Sequence, residues 1–110
     1  MQIRKEQKGD VTVVAVSGKV DAVSSTELEN ELMAIINDNC RKVVLDVQDM
    51  FYISSAGLRV ILAAGQALYE DGQFVLARPQ AEVLDILEMT GFDTILTITG
   101  DLESALAEFK

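Results

Sequence analysis

The chain has 110 residues, of which 49% are hydrophobic, a length and composition that describe one compact domain with a real core. Eighteen acidic side chains against nine basic ones leave a net charge of −9, so a nucleic-acid backbone would be repelled and a basic protein patch attracted. There is no histidine, which excludes Ser-His-Asp and Cys-His catalysis, phosphohistidine relays and His-rich zinc sites.

The β-branched run Val11-Thr12-Val13-Val14-Ala15-Val16 predicts a strand paired with Ile3 to Gln7 across Lys8-Gly9-Asp10. Gly18-Lys19-Val20-Asp21 reads as a turn leaving the sheet, and Ser24 with Glu27 fits a capping box. The helix it opens carries Leu28, Leu32, Ile35 and Ile36 on one face, with Glu27, Glu29 and Glu31 as its solvated side. Cys40, the single cysteine, reads as a buried or half-buried small residue before the next strand. Without a disulfide partner it points to an intracellular setting. Val43 to Val47 is almost continuously apolar, as in a strand covered on both faces.

Ser54-Ser55-Ala56-Gly57-Leu58-Arg59 follows, and then Leu58, Ile61, Leu62, Gly65 and Leu68 recur at helical spacing until Asp71-Gly72. Phe74-Val75-Leu76-Ala77 predicts a strand, and Pro79 starts a helix bearing Val83, Leu84 and Leu87, with Gly91 as its stop. Ile95 to Ile98 predicts the last strand, and Asp101 caps a helix whose face is Leu102, Ala105, Leu106 and Phe109. Met33, Met50 and Met89 are expected in or beside the core. The order β-β-α-β-α-β-α-β-α implies an α/β fold of one domain, residues 1–110, with a mixed, mostly parallel sheet and about four helices. No segment approaches a membrane span and the first residues lack a signal-peptide core, so a cytoplasmic protein is expected.

The Ser54-Ser55 junction is the most informative stretch. Small hydroxyl residues at a helix start lie where unpaired N–H groups and the helix dipole favour negative charge. An N-cap, an activated nucleophile and a phosphoacceptor all suit that place. A nucleophile would lack histidine and any S-x-x-K spacing, which disfavours an enzyme. Gly18, Gly57, Gly65 and Gly72 form no phosphate loop, so no cofactor and no metal are expected.

Over essentially its whole length the chain resembles the STAS domain of bacterial anti-sigma-factor antagonists. The resemblance rests on Gly18-Lys19-Val20-Asp21 (the family's G-x-x-D), Val44-Leu45-Asp46-Val47 (V-L-D-L) and Phe51-Tyr52-Ile53-Ser54-Ser55-Ala56-Gly57-Leu58, embedded in the element order above. It implies a protein switch: an unmodified antagonist binds an anti-sigma factor that is also a serine kinase, releasing the sigma factor. The kinase phosphorylates a serine at the helix start and ends the interaction, and a PP2C-type phosphatase restores it. Any ATP in such a system belongs to the kinase.

The family's usual motif is D-S-[ST or A]-G-L. Aligned through Gly57-Leu58, Ser55 takes the phosphoacceptor position, and Ser54 stands where the family has Asp and is the second choice. The partner surface implied by the resemblance includes Asp21, Ser24, Ser54, Ser55, Ala56, Gly57 and Arg59, with Arg59 about one turn beyond Ser55. The free protein is expected to be a monomer, since its acidic surface discourages self-association. The alternative within the same fold is a ligand-sensing, signalling-assembly or transporter-accessory scaffold with no phosphate switch.

Overall fold

The computed structural model describes residues 1–109. The chain runs β1 (Gln2–Lys8), β2 (Val11–Val20), α1 (Ser24–Asn37), β3 (Lys42–Asp46), β4 (Met50–Ile53), α2 (Ser55–Ala67), β5 (Gln73–Ala77), α3 (Ala81–Met89), a 3-10 turn (Phe92–Thr94), β6 (Thr97–Thr99) and α4 (Leu102–Ala107). The main sheet has the order β1-β2-β3-β5-β6. β1 is antiparallel to β2, and β2, β3, β5 and β6 are parallel.

Each successive parallel strand is added on the same side of its predecessor, so right-handed crossovers carry α1, α2 and α3 to one face. The side chains follow. Val14, Val16, Leu45 and Leu76 pack with Leu28 and Leu32 of α1, Leu58 and Ile61 of α2, and Val83 and Leu87 of α3. The alternate strand positions Val13, Val44 and Val75 point the other way, onto Ala105, Leu102 and Leu106 of α4. β3 and β5 are thus covered on both faces, which is why their sequences do not alternate.

The observed order has one more strand than the sequence predicts. β2 does not leave the sheet at Gly18 but continues to Val20, and its last three residues pair in parallel with β4, Gly18 against Met50 and Val20 against Ile53. The register shifts between Gly18 and Lys19; Gly18 takes φ +92° there and donates its N–H to the Asp49 carbonyl at 2.9 Å. A side chain is strained at that φ, which accounts for glycine.

Smaller differences share a local cause. α2 ends at Ala67, with fully buried Leu68 as its C-cap, ahead of Asp71-Gly72. The final strand is Thr97–Thr99, because Phe92–Thr94 winds a 3-10 turn that leaves Ile95 63% exposed. Pro79 lies two residues before α3, and Gly91, at φ +78°, does terminate it. Met50 is buried and Met33 packs beside the core, but Met89 is 86% exposed, because α3 ends with that residue on its solvent side. Cys40 is half-buried, with Thr12 Oγ1 3.1 Å from its sulfur.

Candidate functional site

The C-terminal ends of the parallel strands carry the N-termini of α1, α2 and α3. Two of these helix starts bear the serines singled out above, on neighbouring strands: Ser54 donates its N–H to the Val20 carbonyl at 2.8 Å, tying the start of α2 to the end of β2.

At α2 the backbone of Ser54 is extended (φ −83°, ψ 171°) and Ser55 is the first helical residue. Ser54 Oγ accepts the Gly57 N–H at 3.1 Å, an N-cap bond to one of the otherwise unpaired donors of the first turn. Ser55 is exposed, and among the described residues its hydroxyl forms no hydrogen bond. The two adjacent hydroxyls, alike in sequence, therefore differ in state: one caps, the other is free. Gly57 is buried against β2 and β4. A Cβ there would stand 2.7 Å from Ile53 Cγ1 and 2.9 Å from Val20 Cγ1, so only glycine lets the helix start approach the sheet this closely.

The start of α1 is arranged differently. Ser24 is the first helical residue rather than the N-cap, and it does not form the predicted capping box. Asp21 provides the oxygen instead: its Oδ1 accepts the N–H of Val23 (3.1 Å), the N–H of Ser24 (2.9 Å) and the Ser24 hydroxyl (3.0 Å). Ser24 Oγ in turn accepts the Asp21 N–H at 2.9 Å. These bonds, the Ser24 N–H first among them, hold the Asp21 carboxyl below its ordinary value of 3.8.

The segments leading into α1 and α2 expose apolar and basic side chains. Val23 is 84% exposed on the loop before α1, and Phe51 and Tyr52 of β4 are 61% and 44% exposed. Lys19 lies over the Tyr52 ring with its Nζ 5.4 Å from the centroid. Arg59 is exposed one turn into α2, and among the described residues neither Lys19 nor Arg59 forms an ion pair. Ala56 is half-buried beside Ser55. Sequence reasoning missed Val23, Phe51, Tyr52 and Lys19. An aromatic pair just before the serines, in a chain only 5% aromatic, was the available signal.

A second polar feature, also unforeseen, ties two strand ends together. Asp46, 7% exposed at the end of β3, accepts from Arg78 Nε at 3.0 Å and Nη2 at 2.5 Å. Arg78 reaches it from a left-handed backbone, φ +60°, just after β5, and the carboxylate raises the guanidinium's pKa. Among the described residues no group of carboxylates and thiols could hold a metal ion, and no helix is long and apolar enough to cross a membrane.

A family model for the STAS domain matches residues 2–105. The chain belongs to the STAS family. Its curated relatives include anti-sigma factor antagonists. BtrV of Bordetella bronchiseptica, which bears the name of such an antagonist, is 33% identical over 111 residues, spanning 100% of this STAS chain and 96% of BtrV. An anti-sigma factor antagonist from Mycobacterium paratuberculosis has the same fold at TM-score 0.92 and 25% identity, over 97% of this chain and 92% of that one. SpoIIAA of Bacillus, solved in its phosphorylated form, matches at TM-score 0.77 and 13% identity over 99% and 100% of the two chains, a likeness of fold.

Proposed function

We propose that this STAS protein is a phosphorylation-controlled binding module, in which Ser55 is the phosphoacceptor. The observation that carries this reading is the unequal state of the two serines: Ser54 Oγ is engaged by the Gly57 N–H, whereas Ser55 presents a free hydroxyl to solvent. In its unmodified form the protein binds an anti-sigma factor that is also a serine kinase. Val23, Phe51 and Tyr52, exposed on the segments leading into α1 and α2, supply apolar contact area, and Asp21, Ser24, Ala56, Gly57 and Arg59 complete the partner surface.

Phosphate on Ser55 adds about −1.5 to −2 charges. At the first residue of a 13-residue helix the domain itself accommodates that charge, because the dipole and remaining N–H groups favour an anion. Lys19 and Arg59, which form no ion pair among the described residues, favour it as well. The consequence falls on the partner. A dianion placed against apolar contact residues costs several kcal/mol unless it is paired, so the complex dissociates without the domain unfolding. A PP2C-type phosphatase reverses the step. The protein acts in the cytoplasm as a free monomer of one domain, binds no nucleic acid or cofactor, and catalyses nothing itself.

The test is intact-mass and phosphosite analysis after incubation with ATP and each serine kinase of the anti-sigma class from the same organism. One added phosphate on Ser55, absent in Ser55→Ala while that variant still binds the kinase, is the expected result. Stoichiometric labelling of Ser55→Ala would move the site to Ser54. Unmodified serines with every kinase would overturn the switch in favour of a constitutive or ligand-sensing STAS module.

A further inference from the structure

The main path of the sheet, β1-β2-β3-β5-β6, ends in two edge strands built on opposite rules. An exposed edge invites pairing with another chain unless charge, proline or a bulge blunts it. β1 is blunted: Arg4, Lys5, Glu6 and Lys8 crowd its seven residues, with Lys5 paired to Glu31 at 3.2 Å and Lys8 to Glu6 at 3.1 Å. β6 is not. Its residues, Thr97-Ile98-Thr99, carry no charge and no proline, and Ile95 just before them is 63% exposed.

The backbone of β6 is available for pairing. The Thr99 carbonyl accepts the Arg78 N–H at 2.9 Å, which turns the backbone groups of Thr99 toward β5 and its main chain. Ile98, one residue earlier, therefore turns its N–H and C=O to the open side. Two cavities adjoin the strand. One, of about 230 Å³, lies between α2 and β6 and is lined by Leu62, Tyr69, Phe74, Ile95 and Leu96. The other, of about 370 Å³, is lined by Pro79, Leu84, Ile98 and Thr99 together with Glu88 and Asp93. Tyr69, at the rim of the first, is 84% exposed.

The charged side chains that line these two cavities have one sign. Glu88 and Asp93 are exposed, and α2 and α3 both end here without a basic residue in the last turn, leaving the negative ends of their dipoles unopposed. A second copy of this chain, itself at −9, would bring the same acids against them.

We propose that β6 is a docking strand for an extended, basic segment of a partner protein. The segment adds to the sheet through the Ile98 backbone, and its alternate side chains enter the apolar cavities beside Tyr69 and Leu84. Its basic residues face Glu88 and Asp93. The surface lies at the sheet edge and uses none of the residues around Ser55, so occupancy of the two is independent.

The test is a titration of the ¹⁵N-labelled full chain with a synthetic peptide of alternating lysine and valine, beside the matching glutamate–valine peptide. Saturable shifts at residues 95–100 with the basic peptide, and about tenfold slower exchange of the Ile98 amide, are expected. Ile95→Lys and Tyr69→Ala change exposed positions, so the fold is retained, and each should weaken binding about tenfold. The proposal is overturned if the basic peptide produces no saturable shift at 95–100, if the acidic peptide binds as well, or if both variants bind like the parent. It is overturned equally if sedimentation finds the protein alone dimeric and Ile95→Lys restores the monomer, which would make a second copy the occupant.

Discussion

Two serine-bearing helix starts sit side by side at the same end of this molecule, and they are organised in opposite ways. At α1, Asp21 and Ser24 close on one another through three hydrogen bonds, and the Asp21 carboxylate accepts the Val23 N–H as well. At α2 a single neutral hydroxyl, that of Ser54, caps the helix, and the next hydroxyl is left unbonded and exposed. The difference separates a structural turn from a reactive one. Both cap a helix start with a side-chain oxygen, but only α2 keeps a second, exposed hydroxyl beside its cap.

The comparison breaks most sharply at the level of modification. With a kinase that labels the protein, Ser55→Ala should lose all incorporated phosphate and Ser24→Ala should keep it; equal loss in both variants, read by phosphosite mass spectrometry, would erase the distinction. Next in size is Gly57→Ala. Its Cβ would fall 2.7 Å from Ile53 Cγ1 and 2.9 Å from Val20 Cγ1, both buried. Overpacking of this kind costs about 1–3 kcal/mol, partly offset by the roughly 1 kcal/mol better helix propensity of alanine. We expect a net loss of stability in urea at unchanged m, and a gain would show that the helix start is less closely seated.

Ser54→Ala removes the cap and should lower stability by about 1 kcal/mol, while Ser54→Asp, which can accept the same N–H, should restore it. Identical losses in both variants would mean that the hydroxyl does not cap. The smallest effect is pH dependence. The Asp21 carboxyl is depressed in the fold by its bonds to Ser24, so its contribution is present above the ordinary value of 3.8 and lost as pH falls through the depressed one. Acidification should therefore perturb the Val23 and Ser24 amide resonances at α1 and leave Gly57, capped by a neutral hydroxyl, unmoved. The two sets of amides moving together on acid titration would contradict this.

Much of the architecture is legible in the sequence because it depends on short-range pattern. The 3.6-residue apolar recurrence of Leu28, Leu32 and Ile36, the unbroken apolar run of Val43 to Val47 and the Asp101 cap each announce an element, and Asp101 does accept the Ser104 N–H at 2.6 Å. From the alternation of strands with helices the mostly parallel sheet and its right-handed crossovers follow. β4 escaped because four residues with apolar ends and exposed aromatics have no period of their own. They become a strand only where β2, bulged at Gly18, extends far enough to pair with them. Met89 was misplaced because it was read from residue type, whereas two residues beyond buried Leu87 it falls on the solvent side of α3.

The sequence alone determined that a Ser-Ser pair stands at a strand-to-helix junction in an acidic STAS-like chain without histidine. Which hydroxyl caps and which is free, that Asp21 rather than Ser24 closes the start of α1, and which sheet edge stays open were decided by tertiary structure. Capping depends on the residue at which the backbone turns from extended to helical, and that point is set by how closely Gly57 lets α2 approach β2 and β4. Edge exposure depends on the order in which strands far apart in sequence assemble, and no local pattern encodes that order.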